Sequence, residues 1–100
     1  MATQPIENPV VVTRHPTLVD YLRERGIISG ECAVKAQVAP EDIAGRHVVG
    51  VLPLLLAALC AAVTVVDLEV PLALRGAELT LEQLREFARS VTTYHVRVIS

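Results

Sequence analysis

The run Val10-Val11-Val12-Thr13, closed by Arg14-His15-Pro16 and followed by Leu18, Val19, Tyr21 and Leu22 at helical spacing, constrains the fold more than any other part of the chain. Consecutive β-branched residues favour an extended backbone, and proline at the first helical position with Gly26 past the last one suits the sterics of both helix ends. The segment therefore predicts a strand, a sharp turn and a helix. The pattern then repeats. Cys32 to Val38 alternates small or apolar residues with wetter ones, as a half-exposed strand does. Pro40 to Ile43 starts one helical turn before Gly45, and His47 to Val51 is an apolar run suited to a central parallel strand.

Leu52-Pro53 ends that run, and Leu54 to Ala62 is all Leu, Ala and Cys, which predicts a helix without a polar face, buried on most sides. Val63 to Val70 reads as a further strand stopped by Pro71, and Leu72 to Leu79 as a loop. Thr80-Leu81-Glu82-Gln83 has the form of a capping box, which starts a helix running to about Arg89. Thr92 to Ile99 alternates again as a last strand. Strands alternating with helices predict an α/β domain, a mostly parallel sheet with helices on both faces. Residues 1–9, with two prolines and no periodicity, read as a loose leader, and residues 10–100 as the single domain that 100 residues can hold.

Charge and composition narrow the function. Nine Lys and Arg against eleven Asp and Glu leave a net charge of −2, without the broad basic face that binding to DNA requires. Aromatic residues are 3% of the chain and Trp is absent, so stacking platforms for single strands are nearly missing. An anionic ligand would have to be small and locally held. The apolar stretch Val48 to Val63, interrupted by Gly50 and Pro53, is shorter than the roughly 20 residues that span a bilayer, so no membrane association is expected. Cys32 and Cys60 lack the CxxC spacing and sit among apolar neighbours, which reads as core cysteines of a reduced, cytoplasmic protein. No short-spaced set of His, Cys, Asp or Glu suggests a metal site, and no cofactor motif is present.

In sheets of this kind ligands bind beyond the carboxyl ends of strands. Two strand-to-helix turns compete for that place. Thr13-Arg14-His15-Pro16 sets a guanidinium and an imidazole beside a helix N-terminus, whose amides attract anions. Gly50-Val51-Leu52-Pro53 is the second, with Gly50 permitting close backbone approach. His15 equally suits a helix cap and Arg14 a solvated side chain, and spacing does not choose between these roles. His47 and His95 fall within strands and read as packed or surface histidines. Arg75-Gly76-Ala77-Glu78-Leu79 is either a turn with one exposed ion pair or a ligand loop.

Taken in order, Val11-Val12-Thr13-Arg14-His15-Pro16 with its Tyr-Leu-Arg helix, His47-Val48-Val49-Gly50-Val51-Leu52-Pro53 with the Leu-Ala helix, and Val70-Pro71 with Arg75-Gly76-Ala77-Glu78-Leu79-Thr80 resemble the small Csx-type proteins of type III CRISPR loci. The resemblance runs from about Val10 to the end, and Ile27 to Ala44 carries little of it. It implies a Rossmann-like homodimer, similar to the nucleotide-sensing (CARF) domains of CRISPR effectors, that acts as a ring nuclease. Its substrate would be a cyclic oligoadenylate messenger, cyclic tetra-adenylate first among them, and its cleavage would switch antiviral signalling off. Carried over residue by residue, the motifs give Thr13, Arg14 and His15, then Gly50 and Leu52 as backbone contacts, then Arg75 and Glu78, without dividing them between catalysis and binding.

On this reading Arg14 and the helix amides hold the scissile phosphate and His15 is the general base or acid. Attack by the ribose 2′-hydroxyl needs in-line positioning, charge stabilisation and proton transfer, and no metal. Thr13, Gly50, Leu52, Arg75 and Glu78 would contact the ligand. Two other readings stand beside it: a module of the same fold that sequesters the messenger without cutting it, and a structural dimer whose apolar helix binds a protein partner.

Overall fold

In a computed structural model describing residues 5–100, the chain forms a mixed α/β layer structure. Strands β1 (Ile6–Glu7), β2 (Val10–Val12), β3 (Ile28–Ser29), β4 (Ala33–Lys35), β5 (His47–Val49), β6 (Ala62–Leu68) and β7 (Ala88–Tyr94) alternate with helices α1 (Pro16–Glu24), α2 (Pro40–Ile43), α3 (Leu54–Ala57) and α4 (Leu81–Phe87). The main sheet has the order β4-β2-β5-β6-β7. Its first four strands are parallel, with Val11 beside both Val34 and Val49, and Val49 beside Thr64. The expected mostly parallel sheet with flanking helices is therefore present.

Chain order and spatial order together locate the switch point. The chain leaves β2, crosses through α1 to β4 on one side, and returns through α2 to β5 on the other side of β2. The reversal lies between β2 and β5, where crossovers diverge and leave a crevice at the strand ends.

The two faces of the sheet bury different sets. Val11 and Val49 pack with Leu22 and Ile28, joined by Leu18, Val19 and Val66, so α1 covers this face. Val10, Val48 and Val63 pack on the other face with Ile43, Ala57 and Cys60, beneath α2 and α3. This is the alternation a doubly covered strand requires, successive side chains pointing to opposite layers. α4 lies beside α1, and Glu24 accepts from Arg85 Nε at 2.7 Å and again from its Nη2, which holds the Glu24 carboxyl below its ordinary range. The capping box at Thr80 forms as expected: its hydroxyl accepts from the Gln83 amide at 3.2 Å, and Gln83 Oε1 accepts from the Thr80 amide at 2.9 Å.

Several expectations are corrected. Ile6 and Glu7, expected in a loose leader, pair with Ile28 and Ser29, and Pro9 is buried; residues 1–4 lie outside the described residues. The strand expected over Cys32 to Val38 is the short edge strand β4. The strand expected to reach Val51 stops at Val49, because Gly50 takes φ +145 and turns the chain away while its amide still donates to Thr64 O at 2.9 Å.

The apolar helix expected over Leu54 to Ala62 is one turn long. It cannot continue, because Gly45 N donates to Leu59 O and Ala61 N to Arg46 O, both at 2.9 Å, which draws the chain into β6. Pairing with β5 overrides the helix propensity of Leu and Ala. Nor is the turn buried on most sides, since Leu54 and Leu55 are 74% and 79% exposed. Cys60 accordingly sits in a turn rather than a helix, buried, with its thiol pushed up by burial.

The last strand also differs. It begins at Ala88, directly after Phe87, and runs antiparallel to β6, with Thr93 opposite Thr64 and Val91 opposite Val66. β7 follows α4 with no residue between them, and the chain returns beside β6 in the opposite direction. Arg89, expected to end the helix, belongs to β7, and the chain from His95 onward is not in a strand.

Candidate functional site

The crevice at the switch point is built by three segments. The first is the turn after β2. Thr13 N donates to Lys35 O at 2.9 Å, and the Thr13 hydroxyl oxygen accepts the His15 amide at 3.0 Å. These bonds fold Arg14 and His15 into a compact turn, and Leu18 N closes on His15 O at 3.0 Å to open α1. His15 is the N-cap residue, yet its side chain makes no capping bond, and the first turn carries no acidic residue. The imidazole is exposed and free to meet a ligand.

The second segment is the turn after β5. A Cβ on Gly50 would stand 2.6 Å from the Val12 carbonyl oxygen and 3.2 Å from Val12 Cβ. Glycine is required here by the approach of β5 to β2 itself.

The third segment is the end of β6 and the chain beyond it: Leu68, Val70, a 3-10 turn over Leu72–Leu74, and Arg75 to Leu79. The stretch expected as a connecting loop, Leu72 to Leu79, forms a wall of the site.

Together these segments enclose two adjoining lobes of about 370 and 350 Å³, which share Thr13, His15, Leu18 and Leu68. Leu74, Arg75 and Leu79 close the first, and Arg14, Gly50 and Val51 line the second. The size is that of a small-molecule site. Arg14, Arg75 and His15 lie on the lining, and no carboxylate does. In a chain of net charge −2 this is a local concentration of anion-binding groups between apolar walls.

Of the seven residues singled out in the sequence, the structure brings Thr13, Arg14, His15, Gly50 and Arg75 to this crevice. Leu52 points into the core on the α3 side, and Glu78 is exposed and lines neither lobe. Of the apolar lining, Val70 and Leu79 fall within the third motif, whereas Leu18, Leu68, Leu74 and Leu84 are a part of the site that the motifs do not mark. A signal is present: Val70, Leu72, Leu74 and Leu79 are an unusually apolar set for a loop, and loop residues of that kind need a surface to face. Among the described residues no three His, Cys, Asp or Glu stand together as metal ligands.

His47 and His95 stay outside the crevice. His47 Nε2 is 2.7 Å from the buried Thr64 hydroxyl, and burial holds its imidazole below the ordinary value.

The model of a family described as "Putative CRISPR-associated protein (Cas_VVA1548)" matches residues 10–97. The chain belongs to this family. The match spans all three segments of the crevice, so the site is part of the family's own domain rather than an appendage to it. No curated protein and no solved structure matches the chain. The CRISPR-associated assignment thus rests on the family model, and the chemistry on the crevice.

Proposed function

We propose that this CRISPR-associated protein is a ring nuclease, which opens a cyclic oligoadenylate, with cyclic tetra-adenylate as the expected substrate, and so ends type III CRISPR signalling. The observation that carries the reading is the convergence of Arg14, His15 and Arg75 on one carboxylate-free, apolar-walled crevice at the switch point. Such a site suits a small polyanion with flat bases, whose faces pack on apolar walls. Backbone groups and Leu or Val walls would receive the adenines, and the guanidinium groups the phosphates. The resemblance of the motifs to Csx-type proteins supplies the substrate class, and the Rossmann-like, CARF-type assignment goes with it.

In the proposed reaction the ribose 2′-oxygen attacks the neighbouring phosphorus and its proton passes to a base. The P–O5′ bond breaks, and O5′ takes up a proton. The products are linear, with a 2′,3′-cyclic phosphate and a 5′-hydroxyl. Arg14 neutralises the phosphorane charge, and His15 moves the proton as base or acid. Arg75 reaches the ligand from the opposite wall.

A four-fold cyclic ligand fits a two-fold protein, each protomer supplying one set of groups. The exposed Val51, Leu54 and Leu55, beside the crevice, form the surface proposed for that dimer.

The test is incubation of the protein, well below the ligand concentration, with cyclic tetra-adenylate in excess EDTA, with the products followed by chromatography and mass. Linear di-adenylate ending in a 2′,3′-cyclic phosphate over many turnovers is the expected result, abolished in Arg14→Ala or His15→Ala. An intact ring that nevertheless binds identifies a sequestering module. Neither binding nor cleavage of any ring size refers the apolar surface to a protein partner.

A further inference from the structure

A second cavity lies on the α1 face of the sheet, between the end of α1 and the strands β6 and β7, with a volume of about 370 Å³. It shares no lining residue with the crevice at the switch point. Its apolar walls are Ile6, Ile27 and Val91, and its polar groups are Arg25, Thr64 and Thr93.

The floor departs from the rest of that sheet face. Val49, Val66 and Val91 are apolar, whereas His47, Thr64 and Thr93 form a hydrogen-bonded row across β5, β6 and β7, with Nε2 to Oγ1 at 2.7 Å and Oγ1 to Oγ1 at 2.8 Å. Thr64 is 1% exposed, so its hydroxyl is tolerated only because both neighbours bond to it. Thr93 is exposed and ends the row at the cavity. With the ring proton on Nε2, His47 donates to Thr64 and Thr64 to Thr93, which leaves the Thr93 proton for a ligand.

Arg25 is held rather than loose. Its Nη1 donates to the Tyr21 hydroxyl at 3.0 Å and its guanidinium carbon lies 5.8 Å from the Tyr21 ring centre. Its Nε and Nη2 make no hydrogen bond among the described residues. Arg25 is the one charged residue on the lining.

We propose that this cavity is a second binding site, for a small molecule that carries an oxyanion, carboxylate or phosphate, on an apolar body. Arg25 and the Thr93 hydroxyl hold the oxyanion, while Ile6, Ile27 and Val91 receive the body. The site stands independently of the ring-nuclease reading.

The test is a titration of the full chain, followed by amide proton–nitrogen NMR, with benzoate, phenyl phosphate and the uncharged benzamide. Saturable shifts at Gly26, Ile27 and Thr93 with an anion are expected, at least tenfold tighter than with benzamide, and the tighter anion identifies the oxyanion source. Arg25→Gln and Thr93→Val, both at exposed positions, should each weaken the anion at least tenfold. Absence of saturable shifts, equal affinity for benzamide, unchanged affinity in both variants, or shifts confined to Thr13, Gly50 and Gly76 would each overturn the proposal.

Discussion

The amide of His15 donates to the hydroxyl oxygen of Thr13 at 3.0 Å, so a side chain two residues upstream fixes the backbone from which the imidazole projects. Thr13 thus shapes the site in addition to lining it. Thr13→Val keeps the branched shape and removes the acceptor, leaving the His15 amide to solvent. It should cost about 1 kcal/mol in urea unfolding and lower cleavage of cyclic tetra-adenylate, whereas Thr13→Ser retains both. Equal behaviour of the two variants would detach the turn from the activity.

Gly50 and Val12 stand in a closer relation. Gly50 has φ +145, and a Cβ added there would lie only 2.6 Å from the Val12 carbonyl oxygen, so Gly50→Ala combines backbone strain with a clash against main chain. The variant should lose about 2 kcal/mol or more of stability, read from the denaturation midpoint. Any loss of ligand binding in it reports the β2–β5 junction and not a missing ligand contact.

How far the sequence discloses this structure depends on how local the deciding interaction is. α1 between Pro16 and Gly26, and the start of α4 at Thr80, are legible because their signals lie within a few residues. The Leu54–Ala62 segment is not, since the bonds from the Gly45 amide to Leu59 O and from the Ala61 amide to Arg46 O tie it to the chain before β5 and end the helix after Ala57. The direction of β7 is likewise non-local: alternation gives a strand, and the helix before it suits a parallel crossover, but the strand pairs antiparallel with β6. β1 and β3 have two residues each, too few for any periodicity. In the crevice, Arg14 and His15 announce themselves by chemistry, while Leu68, Leu74 and Leu79 become a wall only once the loop after β6 folds over the β2 turn.

The pH dependence of stability follows from His47. Burial holds its imidazole below the ordinary 6.5, so the folded chain resists a proton that the unfolded chain accepts. The His47 contribution is therefore complete above 6.5, falls as the pH drops through that value, and is exhausted below the depressed native value. His47→Gln, whose amide can still bond to Thr64, should flatten the slope of unfolding free energy as the pH falls below 6.5. An unchanged slope would mean that His47 takes up its proton equally in both states.

Leu55 tests the proposed dimer. At 79% exposure in the protomer it contributes little to the core, so Leu55→Asp should alter protomer stability by no more than about 0.5 kcal/mol. A charge placed on an apolar two-fold surface meets its own copy as well as apolar neighbours, which doubles the penalty for association. Sedimentation should therefore show a dimer for the natural chain and a monomer for Leu55→Asp, with cleavage falling in parallel if the ring spans both protomers. A natural chain that sediments as a monomer at high concentration removes the dimer, and a Leu55→Asp dimer moves the interface away from α3.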